Sequence, residues 1–518
     1  MQQKLTDRTR TLALSLCLIT ATVATLAPAH PAMAIAAADP RPNILFIMGD
    51  DHPFPSYGFM SKVERRQAPW DAGNASVDHY LAETLSRTHL SHDDLPAIDK
   101  DTPPGCQPLV DCALDDLSCD RSCDTGTPTM DWLAARGAIF PVGYVSHPRC
   151  IESFRSTLSG LYTTQFFHDE GGEDKLGEFT VPAGYITFGY GKVWQRSYRE
   201  LGFDVGETMR AAAEQRAKDA RSSPDRAERR SRRDYRKLTV GGDRTKTNPR
   251  RGLGALAKFW DIYYDAEVYP DPAERQPWMV WYSPRLPHAP YRHGKPFIRE
   301  QSSDFGGSAL VRGTRVYGNI RFLDTLLHDL FTTLDGYGGL DNTIVLYQSD
   351  HGFLLPGSKK GSGENGYRSV ILASGPGITP GTVLPQLVHA VDFLPTIMDY
   401  ACEGIPVEQC KTNPQWRGQS MRPLLEPTWS GTSPFPPEQN GAFQGRRYVF
   451  SPKISPLRHF VRSFDGYRMS KKLGAIDVYQ LFDIFADPDE RTPITREQMP
   501  EIWDRLQDQI DNHIPDVL

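Results

Sequence analysis

Residues 43–52 read NILFIMGDDH, a short apolar run that breaks at Gly49 into two carboxylates and a histidine. A run of this length without polar alternation suits a strand covered on both faces, as in a parallel sheet. The pattern recurs at WMVWYS (278–283), which leads into PRLPHAP, and at TIVLYQ (343–348), which leads into SDHG. Open parallel sheets bind ligands beyond the carboxyl ends of their strands, so three polar tips far apart in sequence can converge. Helical patterns separate the runs. VYGNIRFLDTLLHDLFTTLDGYGG (316–339), for example, carries apolar residues at helical spacing and ends in glycine. This alternation predicts an α/β fold: a large, mostly parallel sheet with helices on both faces.

The chain of 518 residues is long enough to bury a sizeable core. Its 39% hydrophobic and 24% charged residues are those of a soluble globular protein. A formal net charge of -6 gives no reason to expect a nucleic-acid partner. Lys4, Arg8 and Arg10 precede the apolar TLALSLCLITATVATLA (11–27), and AHPAMA (29–34) follows with small residues at Ala32 and Ala34. That order of charged, apolar and A-x-A segments predicts a secretory signal over 1–34, and with it a periplasmic or secreted protein. No later segment is apolar and long enough to span a bilayer, so no membrane span is expected after signal removal.

Cysteine usage follows from that compartment. Of the 8 cysteines, Cys17 leaves with the signal. Cys106, Cys112, Cys119 and Cys123 crowd one Asp/Pro-rich stretch, and Cys402 and Cys410 bracket EGIPVEQ. These six can form three disulfides, of unspecified connectivity, in an oxidising compartment. Cys150, in HPRCIESFRSTLSGLY (147–162), is left over. An odd thiol in an exported chain marks either an unpaired half-cystine or a nucleophile.

Two segments read as insertions: about 59–126, a disulfide-stapled surface loop region, and about 209–251, which holds AERRSRRDYRK. The basic run in the second is either a docking surface for an anionic polymer or a solvated helix of mixed charge. Its interleaved acids favour the solvated helix. The body of the chain is expected over 41–440. From 441 to 518 the sequence turns strand-like (RRYVF, HFVRSFDGYRMSKK, VYQLFDI) and ends in the amphipathic REQMPEIWDRLQDQIDNHI. This predicts a small antiparallel sheet with a terminal helix.

The strand tips carry the chemistry. Asp50 and Asp51 adjoin, and two neighbouring carboxylates repel unless a cation lies between them. Asp350 and His351 repeat the arrangement on another strand. Three carboxylates and an imidazole suit a hard divalent ion, Ca²⁺ or Mg²⁺, with Mn²⁺ also open. The bland alternative for an isolated Asp is a helix N-cap, but neither pair starts a good helical pattern. His288, between prolines in LPHAP, is by itself as readily a core histidine as a site residue. Lys192, Lys359 and Lys360 are ordinary surface residues unless they face the same metal, where a cation would help neutralise an anionic substrate.

These residues carry a resemblance. RPNILFIMGDDHPFPSYG (41–58) resembles the opening strand and metal-binding pair of the sulfatase family, within the alkaline phosphatase superfamily. TPTMDWLAARGAIF (127–140) is similar to the helix that follows there, and HPRCIESFRSTLSGLY falls where the family places its nucleophile. AGYITFGYGKVW (183–194), SPRLPHAPY (283–291) and YQSDHGFLLPGSKKGSGENGYRSVIL (347–372) resemble its Gly-Lys strand, Pro-His loop and second metal motif. HAVDFLPTIMDY (389–400) and VYQLFDIFADPDERTP (478–493) match later landmarks. The ordered series, from about 41 to 495, is far more specific than any one motif.

The resemblance implies an alkaline phosphatase/sulfatase-like fold and a metal, usually Ca²⁺, on Asp50, Asp51, Asp350 and His351. It implies that Cys150 is converted to formylglycine by a formylglycine-generating enzyme. One hydroxyl of the hydrated aldehyde would attack the sulfur of a small-molecule or carbohydrate sulfate ester. The metal, Lys192, Lys359 and His288 would hold the sulfate and help the alcohol leave, and the second hydroxyl would then expel sulfate. Lys359 is preferred to Lys360 because its spacing to Glu364 and Arg368 fits the family's Lys…Glu…Arg pattern.

Two departures stand out. The family's modification signal is Cys-x-Pro/Ala-x-Arg, whereas the corresponding residues here are Cys150, Glu152 and Phe154, with the arginine one place late at Arg155. On a helix, one residue is a rotation of about 100°. The histidine usual after the Gly-Lys lysine is replaced by Trp194 and Gln195, for which His147 is a candidate substitute. Phosphodiester or phosphonate hydrolysis, and a sulfatase-like binding protein without turnover, are therefore the competing expectations.

Overall fold

The computed structural model describes residues 41–53, 127–163, 165, 176–192, 198–240, 249–272, 275–290, 308–353, 358–406, 410–429, 445–453, 458–484, 486–487 and 490–512. The expected signal, the cysteine-rich insertion with Cys106, Cys112, Cys119 and Cys123, and Trp194 and Gln195 lie outside the described residues.

Strand β1 (Asn43–Gly49) is followed by helix α1 (Pro128–Ala135), β2 (Gly137–Tyr144), α2 (Cys150–Ser159) and β3 (Ile186–Gly191). Next come helices α3 (Gly206–Ser222), α4 (Arg226–Val240) and α5 (Pro249–Tyr263), then β4 (Trp278–Ser283), α6 (Ser308–Gly336) and β5 (Thr343–Ser349). Strands β6 (Arg368–Ser374), β7 (Thr382–Val383) and β8 (Val388–His389) precede α7 (Phe393–Ala401). In the 8-stranded sheet the order is β3-β4-β1-β5-β6-β2-β7, with β8 also on β2. Strands β3, β4, β1 and β5 are mutually parallel, whereas β6 runs antiparallel to β5 and to β2.

The apolar runs explain this placement. Every residue of β1, β4 and β5 is buried, so each strand must meet apolar partners on both faces. Side chains alternate between two cores. Leu45, Ile47, Val280 and Val345 join one with Met209, Phe259 and Leu323 from the helices on that side. Ile44, Phe46, Met279, Trp281 and Leu346 join the other with Phe154 of α2 and Phe393 and Ile397 of α7. Helices cover both faces, as the sequence predicts.

The stretch read as a second insertion contributes to the first core. Met209, Ala213 and Ala217 of α3, and Tyr235 and Leu238 of α4, are buried in it. The basic run of α4 leaves Arg229, Arg230, Arg233 and Arg236 exposed on its other side.

Strands β9 (Tyr448–Lys453), β10 (Arg458–Ser463), β11 (Tyr467–Lys472) and β12 (Val478–Asp483) form an antiparallel sheet in the order β12-β11-β10-β9. Helix α8 (Pro500–Asn512) buries Leu506 and Ile510 against Val461, Met469 and Leu481 of that sheet. Phe460 meets Tyr144 and Tyr367, and Ser451 Oγ donates to Val145 O at 2.8 Å, which docks the small sheet beside β2.

Register sets the site. Gly49 pairs with Ser349 and Gly191 with Ser283. The residues immediately beyond, Asp50, Asp350 and Lys192, therefore leave the sheet at the same end.

Candidate active site

Asp50 and Asp350 are fully buried and Asp51 nearly so. The Asp51 amide donates to Asp350 Oδ1 at 2.9 Å, and Asp51 takes a left-handed backbone with φ 65°. A non-glycine residue there is uncommon and is held only where the surroundings over-determine it. His351 Nδ1 lies 2.9 Å from the Gly352 carbonyl. A carbonyl can only accept, so Nδ1 carries a hydrogen, and in the neutral ring Nε2 turns a lone pair toward the acids. Nε2 sits 3.3 Å from Asp51 Oδ1 and 3.6 Å from Asp350 Oδ2.

With the ring neutral, these are acceptors facing acceptors. Asp50 Oδ2 and Asp350 Oδ2 are buried with no hydrogen-bond donor among the described residues. Burial, reinforced by the Asp50 and Asp51 charges, raises the Asp350 carboxyl to about 6, although His351 and Lys192 oppose the shift. Burial pushes Asp50 the same way, but Lys192 and His288 outweigh it and hold that carboxyl well below the usual range. A cation between the acids would keep both ionised and give the orphaned oxygens a partner. The donor set, mostly oxygen with one imidazole, fits a hard divalent ion.

Cationic side chains ring the acids. Lys192, one residue past β3, donates from Nζ to Asp50 Oδ1 at 2.6 Å and lies 3.9 Å from Asp350 Oδ2. Lys359 donates to Asp51 Oδ1 at 2.6 Å. For both lysines burial disfavours the ammonium, yet the facing carboxylates prevail and raise the pKa. His288 Nε2 lies 3.6 Å from Asp51 Oδ2, while its Nδ1 faces the Ala289 carbonyl at 2.7 Å.

Cys150 is the first residue of α2, and its Sγ lies 3.3 Å from His351 Nε2. The helix ends at Gly160, whose φ of 70° makes a left-handed cap and whose amide donates to Ser156 O. A Cβ on Gly160 would stand 3.0 Å from the Trp416 ring. Burial and the Asp350 and Asp50 charges push the Cys150 thiol far above its ordinary value. As a plain thiol it is a weak nucleophile here.

The structure thus gathers Cys150, Asp50, Asp51, His288, Asp350 and His351, with Lys192 and Lys359 paired to the acids. Arg155 is placed differently. Five residues past Cys150, it lies about 140° round the helix, whereas the residue on the Cys150 face one turn on is Phe154. Phe154 is buried, and Lys192 Nζ lies over its ring at 5.4 Å from the centroid. Sequence reasoning notes Phe154 only as a departure from a motif; its contact with Lys192 is the role that reading misses. Glu152 faces Arg149 at 3.8 Å, and Ile151 beside it is 53% exposed. His147 is buried in the segment joining β2 to α2.

The Sulfatase family model matches residues 42–404, and the chain belongs to that family. Among curated proteins, it is 29% identical over 258 residues to a choline-sulfatase of Rhizobium meliloti, covering 48% of this chain and 44% of the relative. It is 26% identical over 265 residues to an N-acetylglucosamine-6-O-sulfatase of Bacteroides thetaiotaomicron, covering 46% and 42%. These matches span less than half the length of either relative. A solved structure in complex with its substrate D-glucosamine-2-N,6-O-disulfate superposes with a TM-score of 0.56 at 16% identity, covering 92% of this chain and 99% of the other. The PsFucS1 sulfatase of Pseudoalteromonas sp. gives 0.55 at 16% identity, covering 91% and 90%. The fold is the sulfatase fold.

Proposed function

We propose that this protein is an exported, metal-dependent sulfuric ester hydrolase whose nucleophile is a formylglycine derived from Cys150. The observation that carries the reading is the position of Cys150 Sγ, 3.3 Å from His351 Nε2 at the edge of a buried carboxylate cluster flanked by Lys192 and Lys359. Asp50, Asp51, Asp350 and His351 would hold the ion, Ca²⁺ first and Mg²⁺ or Mn²⁺ next. Bound there, the ion supplies Lewis-acid polarisation of the sulfate oxygens. A formylglycine at position 150, in its hydrated form, supplies one hydroxyl to attack sulfur and a second to expel sulfate.

The chain's own residues do the rest. Lys192 and Lys359, kept charged by the carboxylates they face, stabilise the negative sulfate oxygens and the charge that develops as the ester bond breaks. His288 donates from Nδ1 to the Ala289 carbonyl, which turns Nε2 toward the acids; only with a hydrogen on Nε2 as well, as the imidazolium, would it give a proton to the departing alkoxide. Arg155, on the flank of α2, would support the helix that presents residue 150. A carbohydrate or small-molecule sulfate is the substrate class, supported by the names of the sulfatases above. Maturation would require a formylglycine-generating enzyme, and export is supported by the N-terminal charged and apolar segments.

The test joins chemistry to turnover. The peptide containing Cys150, taken from exported protein, should show the mass of the aldehyde or its hydrate. Cys150→Ala should abolish sulfate release from aryl and sugar sulfates. An unchanged rate in that variant would refute the nucleophile, and turnover confined to aryl phosphodiesters would refute the substrate class.

A further inference from the structure

We propose that, while residue 150 is still a cysteine, Asp51, Cys150, Asp350 and His351 form a four-coordinate site for a thiophilic divalent ion, of which zinc is the biological example. The inference rests on reading this cluster as a metal site, but not on turnover. One donor atom from each of the four residues lies within 4.8 Å of the others. The edges are informative: Cys150 Sγ to His351 Nε2 is 3.3 Å, His351 Nε2 to Asp51 Oδ1 is 3.3 Å, and His351 Nε2 to Asp350 Oδ2 is 3.6 Å. A tetrahedral zinc with ordinary bond lengths separates nitrogen from oxygen by about 3.3 Å and sulfur from nitrogen by about 3.6 Å. The measured edges are of that size.

A second observation points to a ligand independently of the cysteine. Asp350 Oδ2, on a fully buried residue, accepts no hydrogen bond from the described residues and is aimed at His351 Nε2. Asp51 Oδ1 accepts from Lys359, which leaves it a second lone pair. His351 is already oriented by the Gly352 carbonyl, as zinc-bound imidazoles usually are. On binding, the ion displaces the thiol proton to solvent. Its two positive charges then face one thiolate and two carboxylates, with Lys192 and Lys359 beside them.

The choice of ion follows from softness. Thiolate and imidazole favour zinc over calcium, whereas the oxygen donors that remain once the sulfur is gone favour the hard ion. Conversion of Cys150 would therefore exchange the preferred metal, and an unconverted chain would hold its thiolate as a metal ligand, shielded from modification.

The experiment uses the full chain with Cys150 shown by mass to be a thiol, stripped of metal and titrated with Co²⁺. One Co²⁺ per chain should bind with a thiolate-to-metal charge-transfer band. Stoichiometric Zn²⁺ should remove that band, and about a thousandfold excess of Ca²⁺ should not. Zn²⁺, but not Ca²⁺, should slow alkylation of Cys150 by iodoacetamide. Cys150→Ala and the near-isosteric Cys150→Ser should both lose the band, the serine variant guarding against a folding defect. Cobalt bound without the band, a band that survives in both variants, or displacement by Ca²⁺ would overturn the proposal. Ca²⁺ bound to the thiol form where Co²⁺ and Zn²⁺ fail to bind would do so while leaving the hydrolase reading intact. If neither the thiol nor the converted form binds any divalent ion, both fall.

Discussion

Lys192 is held from two sides: its ammonium donates to Asp50 Oδ1 at 2.6 Å and lies 5.4 Å from the centre of the Phe154 ring. The ring lies on the α2 face that begins with Cys150, so the lysine ties β3, β1 and α2 together at one point. A desolvated cation–π contact is worth up to about 2 kcal/mol.

Phe154→Leu keeps an apolar side chain and removes that contact. Sulfate release should fall by up to about 30-fold, the kinetic equivalent of about 2 kcal/mol. The variant's melting temperature should drop only modestly, because leucine keeps most of the apolar bulk of the ring and leaves only a small cavity. Arg155→Ala, further round the helix, should impair turnover less than Phe154→Leu. Paired rate and melting measurements decide, and a larger effect from Arg155 would return the anchoring role to the arginine.

Asp51→Asn tests the metal cluster without disturbing its backbone, because asparagine tolerates the left-handed conformation at φ 65°. The variant should lose bound divalent metal, measured by elemental analysis, and activity with it. In the parent protein, a chelator should lower the melting temperature. An ion present at a hundred times its dissociation constant contributes about 2.7 kcal/mol of stability. Full metal content in the Asp51→Asn variant would sink the assignment of Asp51 as a ligand.

How far these relationships can be read beforehand depends on their distance in sequence. β1, β4 and β5 announce themselves because strands buried on both faces are written as apolar runs, and the acids at their tips follow. The stretch over α3 reads as an insertion because its buried positions, Met209, Ala213, Ala217 and Ala220, are mostly alanine and make a faint apolar stripe. The Phe154–Lys192 contact is illegible for another reason. Nothing in either local sequence states which ring faces which cation across two elements. The same holds where the small sheet grips the loop that carries Lys359.

That grip is made by a buried arginine and a partly buried glutamate. Arg468 of β11 donates to the Ser362 carbonyl and to Glu490, and Glu490 accepts from the Glu364 amide at 2.6 Å. The loop is tied in turn to the segment before Cys150, where the Lys360 amide donates to Pro148 O at 2.9 Å. Arg468→Met should destabilise the protein by roughly 3–5 kcal/mol, since it strands the buried Glu364 carboxylate, 3.8 Å from the guanidinium, and unpairs Glu490. It should also slow sulfate release through Lys359. Adding Glu490→Met should recover part of the stability but not the activity, because the loop has lost its contacts with both Arg468 and Glu490. A double variant that regains activity along with stability would show that the pair merely holds the sheet together.

Asp324 of α6 supplies a pH-dependent element away from the cluster of Asp50, Asp51 and Asp350. Its two carboxylate oxygens accept from the Thr129 and Met130 amides at 3.0 and 2.9 Å, capping the start of α1 from a neighbouring helix. Burial raises its carboxyl to about 7, even though both amides favour the anion. A carboxyl raised in the folded state binds more protons there than in the unfolded chain between its two pKa values. Its contribution to stability is therefore full below about pH 4, the range of an unperturbed aspartate, and is lost as pH rises through about 7. Asp324→Asn removes the titration and keeps an acceptor for one of the two amides. Urea unfolding should then show the parent protein's advantage over the variant shrinking steadily from pH 4 to pH 7 and levelling off above. An advantage that grew with pH instead would mean that the helix amides, not burial, govern the charge on Asp324.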